Sequence, residues 1–109
     1  MKLAQWDIWR AQPPGLSQPH WFVLVAGQER LNHPQLLQIN ALACFTLRGP
    51  LRSVDVQLDE ADGFQAPTAC QCDLIYFLEN KHRLLDRLGQ VTWERQQAIK
   101  SKLKEVLRL

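Results

Sequence analysis

The hydrophobic pattern of this chain changes period once, and late. Through about residue 78, apolar side chains alternate or run in short blocks cut by Gly, Pro, Asn and Asp. Only after Thr92 do they recur at helical spacing. Short strands first and one helix last define a mainly β protein. The expected architecture is a small, strongly curved barrel or half-barrel of about five to seven short strands, with a C-terminal helix packed across it. The 109 residues suit one domain, taken as 1–109, and suffice to bury a core without disulfides or metal.

Residues 5–11 (QWDIWRA) read as a first strand, with aromatic and β-branched residues between Asp7 and Arg10. Residues 12–20 hold three prolines and a glycine, which excludes regular pairing. With only Leu16 to anchor it beyond its prolines, this loop is expected to be mobile and to close over a ligand. The unbroken apolar run WFVLVA, 21–26, suits a strand buried on both faces. Residues 27–35 connect it to the next strand, with a helical turn expected after Pro34.

Residues 37–47 are the longest strand candidate. Ile39, Ala41, Ala43 and Phe45 would share one face, and Asn40, Leu42, Cys44 and Thr46 the other. Gly49-Pro50 forces a turn. In 53–58 (SVDVQL), Val54, Val56 and Leu58 are expected inward and Asp55 and Gln57 outward. After a turn at Asp59 to Gly63, residues 68–78 form another strand, and Asn80 to Arg87 a short turn of helix. Thr92 is a suitable N-cap with Glu94 in the first turn, although Arg95 stands where a capping box needs Glu or Gln. Ile99, Leu103, Val106 and Leu107 make a single apolar stripe, and Lys100, Lys104 and Arg108 a solvated row beside it.

A net charge of +2 excludes a general polycation, so any nucleic-acid binding must come from a local patch. No apolar run approaches the roughly 20 residues that cross a bilayer, and the start lacks a signal-peptide core; a cytoplasmic protein without membrane contact is expected. Three cysteines, Cys44, Cys70 and Cys72, fit reduced thiols. Cys70, Cys72 and His82 fall one short of the usual zinc set and miss its spacing. The expectation is two small buried thiols, with neither a structural metal nor a cofactor.

An ordered set of segments then carries a resemblance. QWDIW is similar to the G-D-I-W opening strand of the PemK/MazF toxins. The Pro/Gly loop leading into WFVLVA resembles that family's loop before R-P-V-V-V-L. NALACFT resembles its third strand, which ends in a catalytic Thr or Ser. ACQCDLIYFLENKHRL resembles C-D-Q-I-R-T-L-D-K-x-R-L, and RLGQVTWERQQAIKSKLKEVLRL resembles R-L-G-x-L-S-x-E-x-x-x-x-I…L…L-x-L. The order and spacing hold over nearly the whole chain. The resemblance implies the small SH3-like barrel of the CcdB/PemK type. It also implies a homodimer, a cognate antitoxin peptide as partner, and metal-independent cleavage of single-stranded RNA by its own 2′-hydroxyl. Departures are His20 at the family's catalytic Arg, Leu74 at the Gln of C-D-Q, and Tyr76-Phe77 at the Arg-Thr pair.

Carried over residue by residue, the resemblance makes Thr46 a hydroxyl donor to the reacting phosphate. His20 becomes a proton carrier in place of a charge, since a free imidazole titrates near pH 6.5 and a guanidinium stays charged. Arg48, Arg52, Arg10, Lys81 and Arg83 are the expected RNA-binding cations, with Trp9 or Trp21 to stack on a base. Two other readings stay open: a weakened or inactive relative that only binds RNA or a protein, and a gyrase-poisoning toxin of the same fold. The second depends on a Trp-bearing C-terminal tail, whereas this chain ends KEVLRL.

Overall fold

The computed structural model describes residues 2–109. Six strands form one sheet: β1 (Asp7–Ala11), β2 (His20–Leu24), β3 (Ile39–Thr46), β4 (Asp55–Leu58), β5 (Thr68–Leu78) and β6 (Arg87–Gln90). Their order is β4-β5-β3-β2-β1-β6, and every neighbouring pair is antiparallel. Helix α1 (Gln28–Asn32) sits between β2 and β3, and helix α2 (Trp93–Leu107) closes the chain against β4 and β5. Single 3-10 turns occupy Glu60–Asp62 and Lys81–Arg83. The mainly β architecture with a C-terminal helix is as expected from the pattern.

Alternation along the strands divides the core in two. Phe22, Leu24, Ile39, Ala41 and Ala43 leave one face and pack with Trp9, Leu31 and Leu84. Val23, Leu42, Cys44, Val56, Leu58, Cys70 and Cys72 leave the other and pack under Ile99 of α2. The assignment of alternate β3 residues to opposite faces therefore holds. So does the burial of Cys70 and Cys72, which stand with Cys44 in the second cluster, Cys44 directly across from Cys70. Hydrogen bonding to Cys44 and burial push the Cys70 thiol up, and contact with Cys70 does the same to Cys72. Among the described residues no group of three or more His, Cys, Asp or Glu is placed to hold a metal ion. Nor is any described helix long and apolar enough to cross a membrane.

Four local expectations are corrected. The helical turn in the β2–β3 connection precedes Pro34, because the residue before a proline is driven out of the helical region; His33 lies at ψ 118°. Asp55, expected outward, is buried, with both carboxylate oxygens held by the Arg52 guanidinium at 2.8 and 3.0 Å. Arg87, expected to end the helical turn begun at Asn80, instead opens β6, which pairs with β1 through Asp7 and Gln90, and the turn itself covers only Lys81–Arg83. Thr92 is the N-cap of α2, but its side chain makes no capping bond. Its N–H donates instead to Asp62 Oδ1 at 2.9 Å, from a turn far away in sequence.

That last contact belongs to a clamp. Asp62 is buried and also accepts from Asp59 N at 3.0 Å and Arg95 Nη1 at 2.5 Å. Arg95 reaches Asp59 as well, at 2.6 and 2.8 Å. The residue that spoils a capping box thus ties the helix start to the turn before β5. Gly63 follows in the left-handed region at φ 111°, where a side chain would be strained. Gly89 of β6 lies so close that an added Cβ would come within 2.5 Å of Asp62 O. Turn and β6 are packed backbone to backbone, and the Asp62 and Arg95 side chains tie the helix start to them.

Candidate functional site

The loop at 12–20 folds back on itself: Leu16 N donates to Pro13 O, and Gln12 Nε2 to Leu16 O. Pro13 is buried and Leu16 packs on the first core, so the loop has two anchors where one was expected. It delivers the chain to the start of β2. There antiparallel pairing sets Trp21 opposite Cys44, so His20 falls beside Phe45, with ring centroids 5.0 Å apart.

This end of β2, the end of β3, and the segment from Gly63 to Thr68 enclose an open groove of about 820 Å³. His20, Trp21, Thr46 and Arg48 all line it. By alternation, Thr46 leaves the face shared with Trp21 and Cys44, and His20 the face shared with Phe45. The groove wraps the rim of the sheet and so receives both. Thr46 lies opposite Thr68, whose hydroxyl donates to Ala66 O at 3.0 Å. Among the described residues the His20 ring, the Thr46 hydroxyl and the Arg48 guanidinium make no hydrogen bond. Arg48 and Thr46 are exposed and His20 is half-buried. No carboxylate lines the groove, while an imidazole and a guanidinium do. An anion with an apolar appendage fits such a surface, where the His20 imidazole, the Thr46 hydroxyl and the Arg48 guanidinium are interleaved with Trp21, Phe45, Phe64 and Leu88.

The remaining expected cations lie elsewhere or are occupied. Lys81 is corrected most plainly. It is 3% exposed, and its Nζ donates to the carbonyls of Arg30, Leu31 and His33 at 3.0, 3.0 and 2.5 Å. It satisfies the last carbonyls of α1 and is not available to a phosphate. Arg52 bridges Asp55 and Asp73, and those hydrogen bonds, Asp55 first, hold its guanidinium firmly charged. Arg10 pairs with Asp86 at the surface. Arg83 is exposed, but it lines a separate depression of about 300 Å³ with Pro13, Leu16, Leu78 and Asn80. His33 and His82, the other two histidines of the chain, line neither.

Phe64, Gln65 and Leu88 are groove residues that the sequence did not single out. Their place depends on the clamp between Asp62 and Arg95 and on β6, contacts between segments distant in the chain. Only Gly63, the turn residue, signals them locally.

No family model and no curated protein matches this sequence. Solved structures do, over nearly the full length. The chain resembles a mycobacterial endoribonuclease in complex with its cognate antitoxin, at 21% identity, 99% of this chain, 95% of that one and a TM-score of 0.78. It resembles the Mycobacterium tuberculosis toxin MazF-mt6 at 18% identity, 94% of this chain, 97% of that one and a TM-score of 0.78. It resembles MazF of the MazE-MazF structure from Deinococcus radiodurans at 15% identity, with coverage of 97% and 95% and a TM-score of 0.72. The class is therefore defined by fold: a curled antiparallel sheet with a C-terminal helix, shared with the MazF toxins. At the level of fold, the resemblance carried by the five sequence segments holds.

Proposed function

We propose that this chain is the toxin of a toxin–antitoxin pair, a single-domain cytoplasmic protein that cleaves single-stranded RNA. The observation that carries the reading is the convergence of His20, Trp21, Thr46 and Arg48 on one groove free of carboxylates. The fold likeness to MazF toxins, one of them an endoribonuclease bound to its antitoxin, supports it.

In the proposed reaction the 2′-oxygen attacks the adjacent phosphorus. A P–O2′ bond forms, the P–O5′ bond breaks, and the products are a 2′,3′-cyclic phosphate and a 5′-hydroxyl. No water is consumed and no metal is needed: the proton that His20 takes up is returned to solvent, which replaces the one given to O5′. His20 accepts the 2′-hydroxyl proton, and the departing O5′ takes one from solvent in the open groove. Arg48 and the Thr46 hydroxyl donate to the phosphorane oxygens as their charge grows, and Trp21 stacks on a neighbouring base. The single imidazole favours one alternative, a relative that binds RNA or a protein without cutting.

The test is incubation with a long mixed-sequence RNA in EDTA, with analysis of the new ends. Cyclic phosphate and 5′-hydroxyl termini are expected. Intact RNA after prolonged incubation would put the binding-only alternative ahead.

A further inference from the structure

We infer that Gln65 is the base-reading residue of the groove and that it selects adenine; this rests on the reading of the groove as a single-stranded RNA site. Gln65 carries the one carboxamide among the described residues lining the groove. It is exposed, and its amide makes no hydrogen bond among the described residues.

An exposed glutamine ordinarily loses rotamer and loop freedom on binding, which erases much of what its hydrogen bonds gain. Here the backbone is fixed on both sides. Before Gln65, Phe64 is buried, and its N–H donates to Asp59 O at 3.2 Å. After it, Ala66 O accepts from Thr68 Oγ1 at 3.0 Å and Pro67 O from Leu47 N at 3.0 Å. Asp59 and Asp62 are themselves clamped by Arg95, and Gly63 lies against the Leu88 backbone. A free amide on a pinned backbone, one strand from Thr46 and Arg48, is what selective recognition beside a reacting phosphate requires.

The amide offers an acceptor and a donor side by side. Adenine presents the complement on both of its edges, the N6 amino group beside N7 or beside N1. Its two-ring face also covers more of Trp21 than a pyrimidine does. Cytosine and uracil offer a donor beside an acceptor too, but stack less; guanine stacks as well, but its N7 and O6 are both acceptors, so it offers the pair on its N1 edge and not on its N7 edge.

The experiment has two arms, each run on wild type, Gln65→Ala and Gln65→Glu after their melting temperatures have been shown to agree. One sequences the ends cut in a long mixed-sequence RNA. The other sequences a randomised single-stranded DNA pool retained by the protein; lacking the 2′-hydroxyl, the pool reports binding alone. Wild type is expected to favour adenine at one position, with discrimination falling about tenfold in Gln65→Ala. Gln65→Glu is expected to move the preference toward cytosine, whose amino group a carboxylate accepts. An unchanged profile in Gln65→Ala, or a wild-type preference for uracil or for no base, overturns the inference. Cutting without adenine preference leaves the ribonuclease reading standing while this one falls. Adenine-selective retention without cutting does the reverse, and the absence of both cutting and retention overturns both.

Discussion

Strands β3 and β5 share one ladder, and its two ends are built differently. At the Thr46–Thr68 end, β5 is paired on both sides, by β3 and by β4, and Ala69, Cys70 and Cys72 are buried. Toward the Ile39–Leu78 end, β4 has stopped at the pair Asp55–Gln71. From there Leu74, Ile75 and Phe77 stand 54, 38 and 58% exposed. The exposed half of β5, DLIYFL, is more apolar than the buried half, TACQC, so residue type does not decide burial. What decides it is whether a neighbouring strand and α2 lie over the segment. One end is finished within the chain and carries the groove. The other is a bare apolar edge of the kind that folded proteins cover with a partner. A second copy of this chain is the proposed cover.

The sharpest way to break this contrast is to place a carboxylate at each end. Cys70→Asp buries an unpaired charge at a position with no exposure, which is expected to cost more than about 4 kcal/mol and leave little folded protein. Phe77→Asp is expected to change the stability of the isolated chain by no more than about 0.5 kcal/mol, because its side chain already meets solvent. Urea unfolding of dilute protein compares the two. Equal damage from both would mean that the far end is part of the core after all.

Next in size is the effect at the groove. His20→Ala is expected to lower the cleavage rate about 10²-fold without unfolding the chain, since the half-buried ring lies beside Phe45 at the sheet rim and outside both buried clusters. His20→Arg separates two roles. Restored or raised activity would show that the position supplies charge. Lost activity, with a wild-type rate that titrates between about pH 5.5 and 7.5, would show that the ring moves the proton. Thr46→Ala is damaging in either case. A His20→Ala protein that cuts as fast as wild type removes His20 from the site.

A smaller effect is expected at the bare end. Wild type should sediment as a dimer at tens of micromolar, and Phe77→Asp should weaken association about thirtyfold or more, as loss of a central apolar anchor does. A wild type that is monomeric under these conditions, or a variant that associates as tightly, would mean that another surface or none is used.

These contrasts also show what the sequence discloses. Strands marked by their own apolar runs or by alternating side chains were legible: β1, β2, β3, β5 and the apolar part of β4. Arg87–Gln90 was not, because RLGQ has no strand-forming run. It is a strand because Arg87 reaches Asp7 at 3.2 Å and because Gly89 admits the Asp62 backbone. Likewise, nothing local marks Lys81 as buried; three carbonyls at the end of α1 make it so. At the groove, Thr46 and His20 came from the family resemblance and not from their local sequence, and Arg48 from its nearness to Thr46. Phe64 and Gln65 need the contact between the 59–62 turn and α2, and that contact runs through Arg95, which locally looked only like a missing cap.

The clamp gives the smallest prediction and a pH signature that the bare end lacks. Hydrogen bonds from Arg95, then from the Ala61 N–H, hold the Asp59 carboxyl down at about 2. In the unfolded chain the same group titrates near about 3.9. A carboxyl lowered by folding stabilises the native state once both forms are ionised. Its contribution is therefore complete above about pH 4 and is lost as pH falls toward about 2, where the folded state also takes up the proton. Asp59 is partly exposed and its pairing screened, so the change is expected to be modest. Melting temperatures measured from pH 5 down to 2 should show it in wild type. Arg95→Met removes the cause, lets Asp59 return toward its ordinary range, and should flatten that part of the profile while lowering stability throughout, because buried Asp62 loses its guanidinium. Phe77→Ser, at the other end of the ladder, should keep the wild-type slope. If Phe77→Ser flattens the profile as much as Arg95→Met does, the acid response belongs to the whole fold, and the clamp does not set one end of the molecule apart.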